Sequence, residues 1–429
     1  MKVLVLSQYW LPENGVPQRR WAWLTRILKR NGHEVVVVCP PPHYERSVPL
    51  REWLKRERPW RRFRIEEGAF GETMVRTGYF PSGRSLSSRI LNQAVVALSM
   101  MTFPVRKPRA LKGYRPDLVI GTVPALPTSV VTRLIAKSLR RPYTIDLRDA
   151  WPALLDVSDD WNSATGTPSI RERLARFGAL QALTTLTEWA MNRVLKKADG
   201  IITTSQKLED WLRNEHHSSS QDMTTIRNVF PPRSTFSKKD SDNANDSLHV
   251  LYAGTLGRAQ KLGNALRAAR IAQDRGASIE LRFVGDGAAW EELHETAQHL
   301  GVNVDFYHRQ AAEALEEHYA WADTALVHLA DWEPLTRTIP SKTYELMNLG
   351  LHISGAVDGE CAELINELHA GHVVHSESPE ELAQLWIRLA EDRSLLHVTD
   401  EGADWVKQQR DEVVPRQLID FIDRVVRSS

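Results

Sequence analysis

Three short stretches place cations and small residues where an apolar run gives way to a helix. "RTIPSKTYELMNLG" (337–350) sets Arg337, Ser341 and Lys342 around a Pro-Ser-Lys turn, with Glu345 one turn later. "YAGTLGRAQKLGNAL" (252–266) puts Gly254, Gly257 and Gly263 around Arg258 and Lys261. "FVGDGAAWEEL" (283–293) carries Gly285, Asp286 and Gly287. A helix start offers unpaired backbone N–H groups and a partial positive charge, so each stretch is a ready anion site. Two or three cations added to such turns suit a pyrophosphate that must be neutralised. Any one stretch alone reads equally as a glycine turn with surface cations. Together, at one edge of one sheet, they point to a nucleoside diphosphate.

The first half of the chain offers a second set. "QYWLPENGVPQRRWAWLTRILKRNGHEV" places Gly15 in a loop before a helix containing Arg19 and Arg20. That glycine either lets a ligand approach the backbone or serves only the turn. "IDLRDAWPALLDVSDD" ends an apolar run with Asp146, Arg148 and Asp149. A carboxylate such as Asp149 could orient or deprotonate an acceptor hydroxyl. Asp146 and Arg148 could instead form a structural ion pair. No G-x-G-x-x-G spacing supports a nicotinamide dinucleotide. The 15 histidines show neither H-E-x-x-H nor Cys/His spacing, and "DSDNAND" (240–246) lacks the glycine and terminal glutamate of a calcium loop. Neither metal nor cofactor is expected.

Alternating apolar runs and helical patterns must position these residues. "KVLVLS" (2–7), "EVVVVCP" (34–40), "DLVIGT" (117–122), "YTIDLRD" (143–149), "GIITTS" (200–205) and "TTIRNV" (224–229) read as buried strands. "HVLYAGT" (249–255), "IELRFVGDG" (279–287), "VDFYHR" (304–309), "TALVHLA" (324–330), "HISGAV" (352–357) and "HVVHSE" (372–377) form a second series. Helical stretches at 17–31, 179–197, 288–300 and 312–321 fit between them. Continuous apolar runs suit parallel strands covered on both faces, hence two doubly wound α/β domains facing a cleft. The polar stretch "PPRSTFSKKDSDNANDS" (231–247) separates them. The boundaries are 1–232 for the first domain, 233–247 for the linker, 248–404 for the second domain and 405–429 for a closing helical segment.

Composition narrows the class. A chain of 429 residues exceeds one hydrophobic core. Its net charge of +1 argues against nucleic acid as a partner. Two cysteines, Cys39 and Cys361, lie in apolar runs, which suits a reducing, cytoplasmic compartment. No secretory leader opens the sequence, and the apolar stretch 90–105 is shorter than the roughly 20 residues that span a bilayer.

The ordered string "LPENGVPQRRWAWLTRILKRNGHEVVVV", "DLRDAWP", "KKADGIITTS", "YAGTLGRAQKL", "FVGDGAAWEEL", "YAWADTALVHL" and "PSKTYELMNLGLHISGAVDGECAELI" resembles the retaining GT-B glycosyltransferases of the family-4 type. Within them it is most similar to the branch that builds bacterial surface polysaccharides. The resemblance runs from the first strand to about residue 390. It implies two Rossmann-like domains, a nucleotide-sugar donor on the second, a glycan or polyprenyl-linked acceptor on the first, and no required metal. It implies that the segment 414–426 returns to the first domain. Arg258 and Lys261 match the family's basic pair and Lys342 its turn, as a diphosphate clamp. Glu345 matches the second glutamate of the family's paired motif. The first, eight positions earlier, is Arg337 here, which could pair with phosphate or an acidic sugar. Arg309, after "VDFYHR", either faces the nucleobase or is a surface residue, with Gly285 packed beneath the nucleotide.

Two segments suggest a membrane surface at the inner face of the cell membrane. "REWLKRERPWRRFR" (51–64) interleaves seven basic residues with Trp53, Trp60 and Phe63, and 88–106 aligns Leu91, Val95 and Leu98 on one helical face. The alternative is that these aromatics pack internally. Two other readings of the whole chain remain open: an epimerase-like enzyme acting on sugar nucleotides, and a catalytically idle binding protein of the same fold.

Overall fold

The computed structural model describes residues 1–13, 15–43, 50–56, 63–81, 86–123, 125–155, 181–216, 221–232, 236 and 247–428. Most of the expected linker, Trp60 and the acidic stretch 240–246 lie outside the described residues. The first half runs β1 (Lys2–Leu6), α1 (Val16–Arg30), β2 (Glu34–Cys39), α2 (Leu50–Arg56), β3 (Arg64–Glu67), β4 (Thr73–Arg76), α3 (Leu86–Met101), β5 (Leu118–Val123), α4 (Leu126–Leu139), β6 (Tyr143–Leu147), α5 (Gln181–Leu195), β7 (Gly200–Thr203), α6 (Gln206–His216) and β8 (Asp222–Thr225). The second runs β9 (Leu248–Ala253), α7 (Gly263–Asp274), β10 (Ile279–Val284), α8 (Trp290–Leu300), β11 (Val304–Tyr307), α9 (Ala312–Trp321), β12 (Thr324–His328), α10 (Ser341–Leu349), β13 (Ile353–Ala356), α11 (Gly359–Glu367), β14 (Gly371–Val374), α12 (Pro379–Glu391), α13 (Glu401–Gln408) and α14 (Val414–Arg427).

The strands form two sheets. One has eight strands in the order β3-β4-β2-β1-β5-β6-β7-β8, parallel except for the β3–β4 pair. The other has six, all parallel, in the order β11-β10-β9-β12-β13-β14. Both are doubly wound, and each reverses direction beside its first strand, at β1/β5 and β9/β12. Crevices at such reversals, outside the carboxyl ends of the strands, are where open α/β sheets bind ligands.

The central strands are buried at nearly every position because helices cover both faces, which explains their unbroken apolar runs. The edge strand β3, "RIEE", is exposed at all four positions. Its charge concealed it in the sequence, and charge on an edge strand discourages pairing with other chains. Strand β8 covers 222–225 rather than 224–229.

Helix α14 continues α13 through a π-helical turn at 409–413 and crosses to the first sheet. Leu418, Phe421, Ile422 and Val425 are buried there, each burial contributing roughly 1.5–3 kcal/mol. Gly200 in β7 makes room: a Cβ at that position would lie 2.6 Å from the Phe421 ring. Arg424 adds an ion pair to Asp222 at 2.8 Å. Among the described residues, no helix is long and apolar enough to cross a membrane.

Candidate active site

Strand β9 ends at the reversal of the second sheet, and Gly254 follows it at φ +156°. A Cβ at Gly254 would sit 2.7 Å from the ammonium of Lys342. That ammonium lies 3.3 Å from the centroid of the Tyr252 ring, shielded from solvent, and its Nζ has no hydrogen-bond partner among the described residues. Burial holds the Lys342 pKa well below the ordinary lysine value, with Glu345 the opposing charge. Arg258 stands in the 3-10 turn 258–260 after the same strand, and its Nε is likewise shielded and unpartnered. Buried donors without acceptors are rare and costly. An anion seated between these two groups would satisfy both.

Polar residues of β12, α7 and the loop after β14 lie close to these turns. His328 closes β12 and meets the Asn264 amide at 2.9 Å; burial lowers its pKa to about 4, so it is neutral at physiological pH. Lys261 adopts a left-handed backbone (φ +38°) and pairs with Glu377 at 3.2 Å. Glu377, itself at φ +57°, also accepts the backbone N–H of Asp331 at 2.9 Å. Gly257 caps the Arg258 turn in an extended conformation. Helix α10 begins at Ser341, and the Thr343 N–H is already taken by the Pro340 carbonyl at 2.9 Å. The Ser341 and Lys342 amides are thus the donors its N-terminus presents.

Gly285 is required for a reason the sequence did not show. At φ +155°, its Cβ would lie 1.7 Å from the Gly254 carbonyl oxygen. The close approach it permits is between two βα turns, a loop-to-loop contact that holds the Gly254 and Gly285 turns together. Asp286 then accepts from His308 Nδ1 (2.7 Å) and from the Arg309 amide (3.2 Å), which shapes the turn after β11. Arg309 is exposed on that turn.

The two halves meet around this edge. Arg19 of α1 lies 3.8 Å from Glu345 of α10 and stacks on Phe230 at 4.4 Å. A cavity between the halves is lined by Arg19, Phe230, Ser341, Tyr344, Glu345 and Arg410. Gly15 caps α1 beside it in an extended conformation, and its Cβ would lie 2.5 Å from the buried Gln18 Oε1 and 3.3 Å from Pro17 Cδ. Further along the seam, the α6 amides of Gln206 and Lys207 donate to the Glu360 carboxylate (3.0 and 2.7 Å), which also pairs with Arg227 at 2.6 Å.

The Arg337 side chain pairs with Glu333 and stacks on Trp211 of the first domain at 4.6 Å, its carbonyl accepts from Ser205, and its Nη1 stays buried without a partner. One expectation is corrected. Asp146 is wholly buried and holds Arg20 at 2.8 Å and Trp21 Nε1 at 2.7 Å. It is a structural carboxylate, and its partner is Arg20 of α1 rather than Arg148. Asp149, at the end of the same strand, differs: burial raises its pKa, opposed chiefly by the Arg148 guanidinium. Arg148 keeps its Nε buried and unpartnered. Asp149 and Arg148 thus differ from Asp146 in lying together without the bonds that fix it.

The membrane segment 51–64 also changes. Trp53 is buried with Nε1 bonded to the Tyr79 carbonyl at 2.9 Å, and Phe63 packs on Phe103. Trp53 is thereby withdrawn from a headgroup layer, while Phe63 is half-buried. Sequence reasoning missed Arg20, His328, Asn264, Glu377 and Glu360, whose partners lie on other elements.

Comparisons with known proteins agree with this geometry. The family model for a glycosyl transferase 4-like domain matches residues 15–228, and that for glycosyl transferases group 1 matches 234–405. A relative from Escherichia coli (strain K12), named "Putative colanic acid biosynthesis glycosyl transferase WcaI", is 26% identical over 361 residues, covering 82% of each chain. Sucrose-phosphate synthase (tll1590) from Thermosynechococcus elongatus superimposes with a TM-score of 0.68 at 15% identity over the whole of both chains. Anabaena Alr3699/HepE in complex with UDP and glucose gives 0.64 at 15% identity, covering 99% of this chain and 100% of that one. The fold shared with both is GT-B.

Proposed function

We propose that this chain, which belongs to the glycosyltransferases built from a 4-like domain followed by a group 1 domain, moves a sugar from a nucleoside diphosphate to a glycan or polyprenyl-linked acceptor in surface-polysaccharide assembly. The observation that carries the reading is the pair of shielded, unpartnered donors, Lys342 Nζ and Arg258 Nε, at the sheet reversal. A departing diphosphate accumulates negative charge, and preoriented donors in a dry site stabilise that charge best. Lys261 joins them when the diphosphate displaces Glu377, and the Ser341 and Lys342 amides add the helix end. These groups supply the neutralising charge in place of a metal ion. Glu345 serves the ribose or sugar hydroxyls, with Arg19 beside it.

On the acceptor side, Asp149 orients the attacking hydroxyl and Arg148 steadies the carboxylate. Transfer proceeds with retention, the leaving phosphate taking the hydroxyl proton on the face from which it departs, so no side-chain nucleophile takes part. The relative's name supports a surface-polysaccharide role, and the UDP complex of the Anabaena protein recommends uridine donors for the first trials. The reaction belongs on the cytoplasmic side of the membrane, where sugar nucleotides are made.

Titration with UDP and GDP followed by calorimetry tests the donor site. Saturable binding that Lys342→Ala weakens supports it. Binding unaffected by Lys342→Ala overturns it. Incubation with labelled UDP-sugars and a lipid extract tests transfer, and donor turnover without acceptor would favour an epimerase.

A further inference from the structure

Every exposed large apolar side chain among the described residues belongs to the first domain. Two, Leu54 and Ile65, stand on α2 and β3. The remaining eight fall on or just after three helices that form one layer, α3 packing beside α4 and α4 beside α5. Leu98 is 63% exposed on α3, Val105 90% exposed just beyond it, and Trp189 59% exposed on α5. Leu134 stands between them on α4. The stretches 90–112, 126–141 and 185–197, which make up this layer, hold eleven lysines and arginines and one acid, Glu188. The whole chain carries only +1, so the rest of the molecule is net acidic.

We propose that the α3–α4–α5 layer docks the protein on an anionic phospholipid bilayer. The exposed apolar side chains of α3 and its end lie in a stretch without charge, 90–105, and cations follow at Arg106, Lys107, Arg109 and Lys112 and on α4 and α5. An apolar strip is thus bordered by positive charge, as on a surface that dips side chains into a headgroup region. Lysine and arginine stems lie along the apolar surface while their charges reach anionic headgroups. A second copy of the chain is a poor occupant, since the same face would oppose eleven cations to eleven. The proposal goes beyond the transfer reaction and depends on no property of the nucleotide site.

The test uses the full chain with phosphatidylcholine vesicles, with and without phosphatidylglycerol, in a flotation assay. The expected result is flotation with the anionic vesicles at low salt, release at high salt, and little association with phosphatidylcholine alone. The double variant Leu98→Glu with Trp189→Glu loses about ten-fold or more in vesicle affinity. Because both positions are exposed, its melting temperature and nucleotide affinity stay those of the parent. Equal binding to both vesicle types, no binding to either, or unchanged binding by the double variant overturns the proposal. So does a concentration-dependent dimer that the double variant abolishes.

Discussion

Arg20 and Asp146, 126 positions apart in the chain, meet at 2.8 Å inside the first domain with neither side chain exposed. Trp21 adds a hydrogen bond to the same carboxylate, and Arg20 also donates to the Ile226 carbonyl at 2.7 Å. The cluster ties α1 to the end of β6 and to the strand exit after β8, three elements at the carboxyl edge of the first sheet.

Removing one partner strands a buried charge, so Asp146→Ala should cost about 3–5 kcal/mol. The melting temperature should fall on the order of 10 °C. Asp149→Asn, three residues on, should melt like the parent while turnover drops about 10²-fold, the cost of a misplaced hydroxyl. Calorimetric melts beside initial rates separate the two. Equal melting of Asp146→Ala and the parent would remove the structural role assigned to that carboxylate.

Lys342→Met replaces a buried, unpartnered ammonium with an apolar side chain of similar length. The variant should be as stable as the parent or more so, while nucleoside diphosphate affinity falls about 10- to 100-fold, the worth of one or two charge-assisted hydrogen bonds. A loss of stability in urea titrations would show that the ammonium already has a favourable environment.

Proton uptake should accompany donor binding. Burial depresses the Lys342 pKa in the free protein, and a diphosphate beside it raises that pKa again. Affinity therefore declines as pH rises through the interval between the depressed and the restored value. Calorimetry in two buffers of different ionisation enthalpy measures the uptake; identical apparent enthalpies would refute it.

In the proposed donor complex, Glu377, which pairs with Lys261 at 3.2 Å in the free protein, would compete with the diphosphate for it. Glu377→Gln should raise nucleoside diphosphate affinity by a few-fold, a modest effect because both side chains are about 30% exposed and screened by solvent. A drop in affinity would mean that the carboxylate positions Lys261 for the ligand.

Two buried histidines set an acid limit. The pKa values of His328 and His352 are lowered to about 4 and about 3, both by burial. In the unfolded chain each takes up a proton near pH 6.5. Stability is therefore complete above that pH and declines as pH falls toward 4, with the His352 contribution lost down to 3. For His328 the loss reaches roughly 3 kcal/mol. Urea melts between neutrality and pH 4 should show the slope, and His328→Asn should flatten it.

The parallel sheets were legible because helices cover both faces, leaving apolar runs that no surface strand would show. Lys342 and Arg258 stood out because cations beside glycines at strand ends have few structural uses, and the fold leaves Lys342 Nζ and Arg258 Nε buried without a partner. Arg20 was not: on an amphipathic helix it looks like its neighbours, and only the fold brings Asp146 to it. The contact of Arg337 with Trp211 was not legible, because only the fold brings α6 of the first domain against the turn 333–337. Gly285 was correctly marked as special, but its clash partner is backbone from a turn thirty residues earlier.

Helix α14 gives the molecule an unusual order of assembly. Strands β7 and β8 are synthesised long before the residues that cover them, since β8 ends at Thr225 and α14 starts at Val414. During translation the N-terminal half waits with an uncovered apolar flank while the donor half is completed behind it. The half made first is thus the half sealed last, and chaperone capture on the ribosome should concentrate there.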